Sequence, residues 1–334
     1  MDSVATPARS AGFVCPRCRG PLSAAPSALG CAACGRSYPI EGEIADFAEG
    51  EYYDQFSSER DLSADLLQGL EDEVSGTRAR IGDFFLPRFR REFPETKGRR
   101  ILDCGCGNGL SVDLLADAGM EAWGNDSSLL RKWQWRERRN RGRLAVAGGG
   151  RLPFPSGFFD LAVSSGVLEH VGVVESAGPP YAVRPSPTRD ADRLAFLREV
   201  LRVVRPGGVA WLDFPNGAAP IEFWHGTGAG GARFHRRDEG FLPTVGEIRG
   251  LVRRIDPALR VRAISPSGRL QFKRIRRRWF GRLLSPAIEA FLFLMKVPGF
   301  RWLAATALNP YLVLEIRKPS AGAAGRDNPG IGTA

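Results

Sequence analysis

The sequence predicts an α/β protein in which a doubly wound, mostly parallel sheet of seven strands follows a small cysteine-rich ribbon. Three observations lead to this fold. After Arg100, short apolar runs alternate with stretches of helical periodicity, as expected when helices cover both faces of a parallel sheet. A glycine-rich loop directly follows the first apolar run, and four cysteines form two C-x-x-C pairs near the amino end.

The composition is that of a soluble globular protein, and it bounds the classes of function. The chain has 334 residues, is 43% hydrophobic and 25% charged, and carries a formal net charge of +10. This positive balance favours anionic partners such as nucleic acid or lipid headgroups. The longest apolar run, residues 287–297, is too short to span a bilayer, and residues 1–13 lack the pattern of a signal peptide. We therefore expect a cytoplasmic protein.

The four cysteines of the amino-terminal ribbon, residues 1–50, have the spacing of a metal site. Twelve residues separate the two C-x-x-C pairs, and each pair is expected on a tight turn that directs two thiolates to one point. The predicted ligands of a structural zinc ion are Cys15, Cys18, Cys31 and Cys34. Two disulfides are the alternative, which the lack of an export signal disfavours.

Residues 51–100 are predicted to form a helical connecting segment. Apolar side chains recur at a loose helical spacing from Val74 to Phe89, and the helix should end near Pro94. Ahead of this helix, residues 52–56 form a cluster of aromatic side chains. Two roles are open for the cluster: a lid that folds over a bound cofactor, or ordinary packing.

Residues 101–318 should form the parallel sheet and the helices that cover it. The clearest helix is predicted over residues 193–204, where five apolar side chains share one face. The predicted strands are residues 101–104, 121–125, 144–147, 159–164, 209–214, 261–264 and 311–317.

The stretch ILDCGCGNGL, residues 101–110, joins the first of these strands to a helix, where backbone N–H groups bind anions or polar groups. A triphosphate-binding loop ends in Gly-Lys-Ser/Thr, but this loop ends in Asn-Gly-Leu. A dinucleotide-binding loop needs glycine at position 110, which is leucine. The pattern that remains is D-x-G-x-G-x-G, from Asp103 to Gly109, with a carboxylate at the end of the strand.

This pattern resembles the first motif of the class I S-adenosylmethionine-dependent methyltransferases, and the resemblance covers roughly residues 95–265. It implies that the loop passes under the methionine and ribose parts of the cofactor. By the same resemblance, Asp103 helps to hold the cofactor's amino group and Asp126 binds the ribose hydroxyls. Two later matches are Leu-Pro-Phe at residues 152–154 and Arg-Pro-Gly-Gly at residues 205–208, just before a strand.

One position departs from the family pattern. Where these enzymes usually carry an aspartate that touches adenine, this chain has Gly148. The resemblance then leaves a backbone N–H near Arg151 or Leu152 for that contact, and Cys104 and Cys106 are interpreted as small apolar fillers. The full set of expected cofactor-binding residues is Asp103, Gly105, Cys106, Gly107, Asn108, Gly109, Asp126, Ser127, Arg151, Leu152 and Ser165.

Methyl transfer needs an acceptor nucleophile in line with the S–CH3 bond and no covalent enzyme intermediate. A hydroxyl or phenol acceptor also needs a base. Glu169 and His170 are the first candidates, because they follow the fourth strand at the carboxyl edge of the sheet, where such folds bind ligands. His235, and less so His225, follow the fifth strand. A structural or solvated role is the alternative for each histidine.

Two insertions are expected to shape the surface near the acceptor. Residues 175–192 are rich in proline and are predicted to form a loop over the pocket. Residues 266–310 contain six basic side chains between Lys273 and Arg282, followed by the apolar stretch 287–297. This favours a peripheral contact of residues 271–300 with the inner face of a membrane, with a solvated helix as the alternative. Residues 319–334 are predicted to be a disordered tail.

Three functions remain open from the sequence. The first is a methyltransferase that uses S-adenosylmethionine to modify a small-molecule, saccharide or lipid-linked acceptor. The second is a ribosomal or transfer RNA methyltransferase in which the ribbon and the basic patches bind RNA. The third is a non-catalytic binding module with the same fold, which the intact glycine loop and Asp126 argue against.

Overall fold

The computed structural model of the chain describes residues 12–175, 182–225, 233–236, 239–269 and 279–320. In chain order, the strands within these residues are β1 (Leu22–Ala24), β2 (Ala28–Cys31), β3 (Ser37–Glu41), β4 (Ile44–Asp46), β5 (Arg100–Cys104), β6 (Glu121–Asp126), β7 (Leu144–Val146), β8 (Phe159–Ser165), β9 (Val173–Glu175), β10 (Val183–Pro185), β11 (Val204–Pro215), β12 (Ile221–Glu222), β13 (Arg233–Phe234), β14 (Arg260–Ile264) and β15 (Tyr311–Arg317).

The described helices alternate with the central strands. They are α1 (Ala64–Ala79), α2 (Leu86–Glu92), α3 (Leu110–Asp117), α4 (Leu129–Trp135), α5 (Arg189–Val203), α6 (Val245–Ile255) and α7 (Trp279–Leu294). A π-helical segment, Arg80–Phe85, joins α1 to α2 without a break, so the predicted connecting helix extends over residues 64–92. Short 3-10 helices cover Glu59–Asp61, Arg141–Arg143, Leu168–His170 and Pro298–Ala305.

The described strands of the main sheet have the order β1-β2-β3-β4-β7-β6-β5-β8-β11-β15-β14. All seven strands predicted after Arg100 are present, and their pairing is parallel from β7 to β11. β15 runs antiparallel to both β11 and β14. The predicted fold class is therefore confirmed.

The core lies on both faces of this sheet. Consecutive residues of β5, Ile101 and Leu102, belong to two different clusters of buried side chains, because successive side chains of a strand point to opposite faces. The apolar face predicted over residues 193–204 is buried on α5, where Leu197, Val200 and Leu201 are at most 3% exposed. Helices cover both faces, and the carboxyl ends of the parallel strands are left open to form a site.

The amino-terminal ribbon is part of the sheet. β3 and β4 form an antiparallel pair, and β4 then pairs in parallel with β7, with Ala45 opposite Ala145. The N–H of Phe47 continues this pairing by donating to the carbonyl oxygen of Val146 at 2.8 Å. The sequence predicts the ribbon and the sheet as separate domains, but backbone hydrogen bonds join them.

Parts of three predicted segments lie outside the described residues: 270–278 of the basic insertion, 176–181 of the proline-rich loop and 321–334 of the tail. The apolar stretch of the insertion contributes to α7, which continues through Leu294. Among the helices that the structure describes, none has the length and apolar character needed to cross a membrane.

Candidate active site

A cavity of about 630 Å³ opens at the carboxyl ends of β5, β6 and β8. Its lining comes from the loop after each of these strands, from the loop after β7 and from the segment that precedes β5. The volume is within the range of cavities that bind cofactors and small substrates. After β5 the chain continues to β6 on one side, and after β8 it continues to β11 on the other side. The cavity therefore lies where the strand order reverses, which is where ligands bind in open α/β sheets.

The glycine loop forms one wall of this cavity. Gly105 and Gly107 both line it and have φ angles of +76° and +55°, in the left-handed region that side chains rarely adopt. A Cβ atom on Gly105 would lie 2.3 Å from Cγ2 of Val167. The N–H groups of Gly105 and Cys106 both donate to the carbonyl oxygen of Asn125 at 2.9 Å. The loop is thus held against the end of β6 with bare backbone facing the cavity.

Asp126, at the end of β6, presents a fixed carboxylate to the cavity. One oxygen accepts the N–H of Gly107 and the other accepts the N–H of Ser128, each at 3.1 Å. Burial raises the pKa of Asp126, although these N–H groups and Arg131 favour the charged form. A ligand with two hydroxyl groups could donate to the remaining lone pairs of this carboxylate.

The segment before β5 and helix α4 also enclose the cavity. The sequence predicts a role at the site only for residues 52–56, as a lid over a bound cofactor. Glu73 on α1 and Arg131 on α4 both line it and form an ion pair of 2.6 Å. Tyr53 also lines it, and its N–H donates to the carbonyl oxygen of Ser127 at 2.9 Å. Asp54 accepts the N–H of Leu129 at 3.0 Å and so caps the start of α4.

A polar cluster lies beside the cavity, after β8. One ring nitrogen each of His170 and His225 and a carboxylate oxygen of Glu169 lie within 4.8 Å of one another. Glu169 is 1% exposed, and its Oε2 has no hydrogen-bond partner within the described part of the chain. Burial raises the pKa of Glu169. His170 itself lines the cavity, so the cluster can reach a ligand there.

Carboxylates orient both imidazole rings of this cluster. Nδ1 of His170 lies 2.6 Å from Glu175, and Nδ1 of His225 lies 2.7 Å from Glu222. Burial alone would lower the pKa of His170, but the neighbouring carboxylates of Glu175 and Glu169 raise it. The rings of His170 and His225 meet edge to face with centroids 5.3 Å apart.

This cluster is held in position by a buried arginine. The sequence alone did not identify it as part of the site. Arg193 on α5 is 0% exposed and donates to the backbone oxygens of Val171, Glu169 and Phe241. It also pairs with Glu247 at 2.7 Å. The sequence contains one signal for this role, an arginine on a mainly apolar helix face. A guanidinium is buried there only when its donors find acceptors.

The four cysteines of the ribbon converge as a metal site requires. Their sulfur atoms lie within 4.8 Å of one another, with 3.6 Å between Cys15 and Cys34 and 3.4 Å between Cys18 and Cys31. Four thiolates around one zinc ion would lie about 3.8 Å apart, whereas a disulfide bond is about 2 Å long. The donor set therefore fits a structural zinc ion, and none of the four is in a disulfide.

Comparison with known families gives two matches along the chain. Residues 102–212 match the family model described as a methyltransferase domain, and residues 13–43 match the model of Trm112p-like proteins. The first match covers β5 to β11, which carry the glycine loop and the cavity. Residues 102–212 thus match a methyltransferase domain.

Several known proteins are similar to this chain. A probable S-adenosylmethionine-dependent methyltransferase of Mycolicibacterium smegmatis is 30% identical over 119 residues, which is 36% of this chain and 39% of that protein. A similarly named protein of Mycobacterium tuberculosis is 27% identical over 128 residues, 38% of this chain and 40% of that protein. The chain thus spans less than half the length of these two relatives. A methyltransferase structure from Mesorhizobium loti has 19% identity and a TM-score of 0.44, and the match covers 70% of this chain and 96% of that one.

Within the methyltransferase domain, the cavity brings together five of the expected cofactor residues and His170. Gly105, Gly107, Asp126, Ser127 and Ser165 line it. Cys106, Asn108 and Gly109 belong to the same loop but lie outside the lining, and Asn108 donates its N–H to Glu73 at 3.2 Å. Cys106 is 2% exposed, in keeping with its interpretation as a small filler.

Three expected cofactor residues of the methyltransferase domain are engaged elsewhere. Asp103 is fully buried and pairs with Arg80 of the π-helical segment at 3.0 Å. The N–H of Leu152 donates to Glu199 at 2.9 Å, and the N–H of Arg151 donates to the carbonyl oxygen of Gly148 at 3.2 Å. The structure therefore gives both backbone groups partners within the chain.

The residues predicted as catalytic also fall into two groups, those in the polar cluster and one outside it. Glu169 and His170 lie in the polar cluster, whereas the ring of His235 contacts the carbonyl oxygen of Ala219 through Nε2. His225, the weaker candidate in the sequence, occupies the place in the cluster beside His170. The 3-10 turn Leu168–His170 and the bond from His225 to Glu222 bring these side chains together, and neither feature has a sequence signature.

The residues of the cavity fit S-adenosylmethionine. The glycine loop leaves room that a Cβ atom would fill, and the carboxylate of Asp126 is available for hydroxyl donors. Asn125 also lines the cavity, and its buried Oδ1 has no partner among the residues that the structure describes. A buried oxygen of this kind is a place for a donor group of a ligand.

Proposed function

We propose that this chain binds S-adenosylmethionine in the cavity beside the glycine loop and transfers its methyl group to an acceptor next to Glu169 and His170. The observation that carries the proposal is the carboxylate of Asp126, which faces the cavity while two backbone N–H groups fix its orientation. The methyltransferase family match and the similar proteins support the same activity.

Each part of the cavity has a proposed role in holding the cofactor. The ribose hydroxyls would donate to Asp126, and the glycine loop would admit the cofactor close to its backbone. Ser127 and Ser165 supply further polar groups, and Tyr53 is the residue of the aromatic cluster that faces the ligand. Bound there, S-adenosylmethionine supplies an electrophilic methyl group for direct in-line displacement.

His170 is the proposed base on the acceptor side. When its Nδ1–H donates to Glu175, its other ring nitrogen is a proton acceptor for a hydroxyl at the cavity. Glu175 then stabilises the imidazolium that forms, and Arg193 keeps the backbone of Glu169 in place. Glu169 is the proposed partner for a polar hydrogen of the acceptor, since one of its oxygens is buried without a donor in the described chain.

We propose a small-molecule, saccharide or lipid-linked acceptor. The support is the position of the polar cluster, which is partly covered by Phe241 and Tyr53 and so suits a compact group of an acceptor. RNA methylation is the second candidate, favoured by the Trm112p-like match of residues 13–43 and by the net charge of +10.

Calorimetric titration with S-adenosylmethionine and S-adenosylhomocysteine tests the cofactor proposal. Replacing Asp126 with alanine should weaken binding by about 10- to 100-fold, because a hydrogen bond to a charged group is lost. The matched control is Asp117→Ala, which removes an exposed carboxylate paired with Arg139 and should bind as the unaltered chain does. Equal affinities for Asp126→Ala and the unaltered chain would contradict the proposed ribose contact.

Transfer of a radioactive methyl group identifies the class of acceptor. The chain is incubated with methyl-labelled S-adenosylmethionine and a bacterial extract, which is then divided into lipid, polysaccharide, small-molecule, protein and RNA fractions. We expect label in the lipid, polysaccharide or small-molecule fraction, and much less of it with Asp126→Ala at a limiting concentration of S-adenosylmethionine. Label that is sensitive to ribonuclease would support the RNA candidate instead.

A further inference from the structure

A second cavity, of about 560 Å³, lies at the opposite end of the sheet from the ribbon, beside the edge strand β14. Parts of α2, α6, β14 and the segment 295–305 line it. Its lining carries no acidic side chain among the described residues. The basic side chains of its lining are Arg88, Arg91, Arg249, Arg262, Lys296 and Arg301.

These positive charges are poorly compensated. Of the six, Arg262 alone has a carboxylate partner within the residues that the structure describes, Glu315 at 2.8 Å, and Glu315 also pairs with Arg317. The contacts of Arg88 are neutral: its guanidinium lies over the ring of Phe84 and donates to the carbonyl oxygen of Ser265 at 2.9 Å.

Two basic side chains in this cavity have lowered pKa values, as expected where positive charges lie close together. Burial and the neighbouring Arg91 lower the pKa of Arg88 to about 10. Burial, Arg88 and Arg91 also lower the pKa of Lys296, against a weaker opposing effect of Glu289. An anion that binds between these cations stabilises them, because it offsets their mutual repulsion. The cavity therefore suits an anionic group such as a phosphate.

Exposed apolar side chains border the same cavity. Trp302 lines it and is 63% exposed, and the ammonium group of Lys296 lies 5.3 Å from the centre of the Phe293 ring. Phe300 is also exposed and directly precedes Arg301 and Trp302 of the lining. Aromatic and aliphatic groups next to basic ones are typical of proteins that lie in a membrane interface.

We propose that this face docks on an anionic membrane surface, with the phosphate of a lipid headgroup in the basic cavity and Phe293, Phe300 and Trp302 in the interface. Nucleic acid would satisfy the charge, but it offers no apolar environment for the exposed Val297, which follows Lys296 of the lining and provides no stacking surface for bases. The proposal concerns a surface separate from the methyl-transfer site and holds whatever the acceptor is.

Vesicle flotation of the full chain tests the proposal, with phosphatidylcholine vesicles that contain or lack phosphatidylglycerol. The chain should float with the anionic vesicles and not with the neutral ones. The double variant R91Q/R301Q should bind about 30-fold more weakly, since each basic side chain near such a surface contributes about a factor of five. The control R136Q/R139Q removes the same charge from exposed ion pairs with Glu41 and Asp117 and should float normally.

Two further measurements identify the source of the phosphate. Trp302→Ser should weaken vesicle binding but leave calorimetric binding of inorganic diphosphate unchanged. Diphosphate binding without any vesicle binding, or RNA binding that is lost in R91Q/R301Q while vesicles fail to bind, would overturn the proposal. Equal flotation of R91Q/R301Q and the unaltered chain would also overturn it. Each variant should retain its affinity for S-adenosylmethionine, which separates this result from the test of the methyltransferase site.

Discussion

At the scale of single residues, sterics at the glycine loop determine what the cavity can hold. Gly105 lies at a φ of +76°, where a side chain is strained, and directly against Val167. The sequence places three alternate glycines in this loop, and the structure shows a separate reason for each. Gly107 approaches Glu73, and Gly109 approaches the rings and methyl groups of Trp135 and Leu144.

Replacing Gly105 with alanine should lower the affinity for S-adenosylmethionine at least about tenfold. The new Cβ would lie 2.3 Å from Val167, and the strained backbone alone costs about 1–3 kcal/mol. Calorimetric titration measures the effect. Gly148→Ala is the control, because no atom lies within 4 Å of its added Cβ, and it should bind normally. Unchanged binding by Gly105→Ala would show that the loop does not contact the cofactor.

The histidines provide a second prediction at this scale. Once the label experiment has identified an acceptor, His170→Gln should reduce kcat by about 10²- to 10⁴-fold, as expected for loss of a general base. Its affinity for S-adenosylmethionine should not change. His235→Gln should retain kcat, because that ring contacts a backbone oxygen away from the cluster. A normal kcat for His170→Gln would remove His170 from the proposed mechanism.

At the scale of elements, β4 connects the ribbon to the methyltransferase domain. It pairs with β7, and its last residue, Asp46, is 3% exposed. The carboxylate of Asp46 contacts Lys132 of α4 at 2.9 Å and accepts the hydroxyl of Tyr52 at 3.0 Å. Thus one short strand fixes the position of α4, whose amino end adjoins the cavity.

Asp46→Ala should lower the free energy of unfolding by about 3 kcal/mol, because it leaves the partly buried Lys132 with the exposed Glu41 as its remaining carboxylate partner among the described residues. Urea unfolding with zinc present measures the change. Glu41→Ala removes the other carboxylate partner of Lys132, at 3.2 Å, but that side chain is 55% exposed. This control should cost less than about 1 kcal/mol. Equal costs for the two variants would contradict a structural role of the β4 junction.

At the scale of the whole molecule, the ribbon and the sheet share a core. Phe13 contacts the rings of Phe47, Trp123 and Phe154, and Leu29 and Tyr38 belong to the same buried cluster as side chains of α5. A metal site in the ribbon should therefore affect the stability of the methyltransferase domain, since the binding free energy of a structural zinc ion contributes to folding.

Cys34→Ser should lose the bound zinc and lower the Tm of the whole chain in one transition. Elemental analysis of the purified protein and thermal unfolding check both parts. Cys106→Ala is the control: its thiol is buried in the glycine loop, and it belongs to neither cluster of potential metal ligands among the described residues. This variant should keep one zinc ion per chain. A full zinc content in Cys34→Ser would contradict the assigned ligand set.

The sequence by itself determined the seven central strands, the four convergent cysteines and the glycine loop. These features depend on local periodicity and on fixed short spacings, which a chain carries in its own order. Asp126 and Ser165 were also expected as cofactor residues, Asp126 through the resemblance to class I methyltransferases.

Only the tertiary structure decided which side chains face one another across the molecule. It turned Asp103 to Arg80 and the N–H of Leu152 to Glu199, it placed His225 rather than His235 beside His170, and it inserted β4 next to β7. Six basic residues from four segments form one cavity at β14, although these residues are spread along the chain from Arg88 to Arg301. The physical reason is the same in each case: a buried charge or N–H takes whichever partner the packing brings within reach, and that partner is usually distant along the chain.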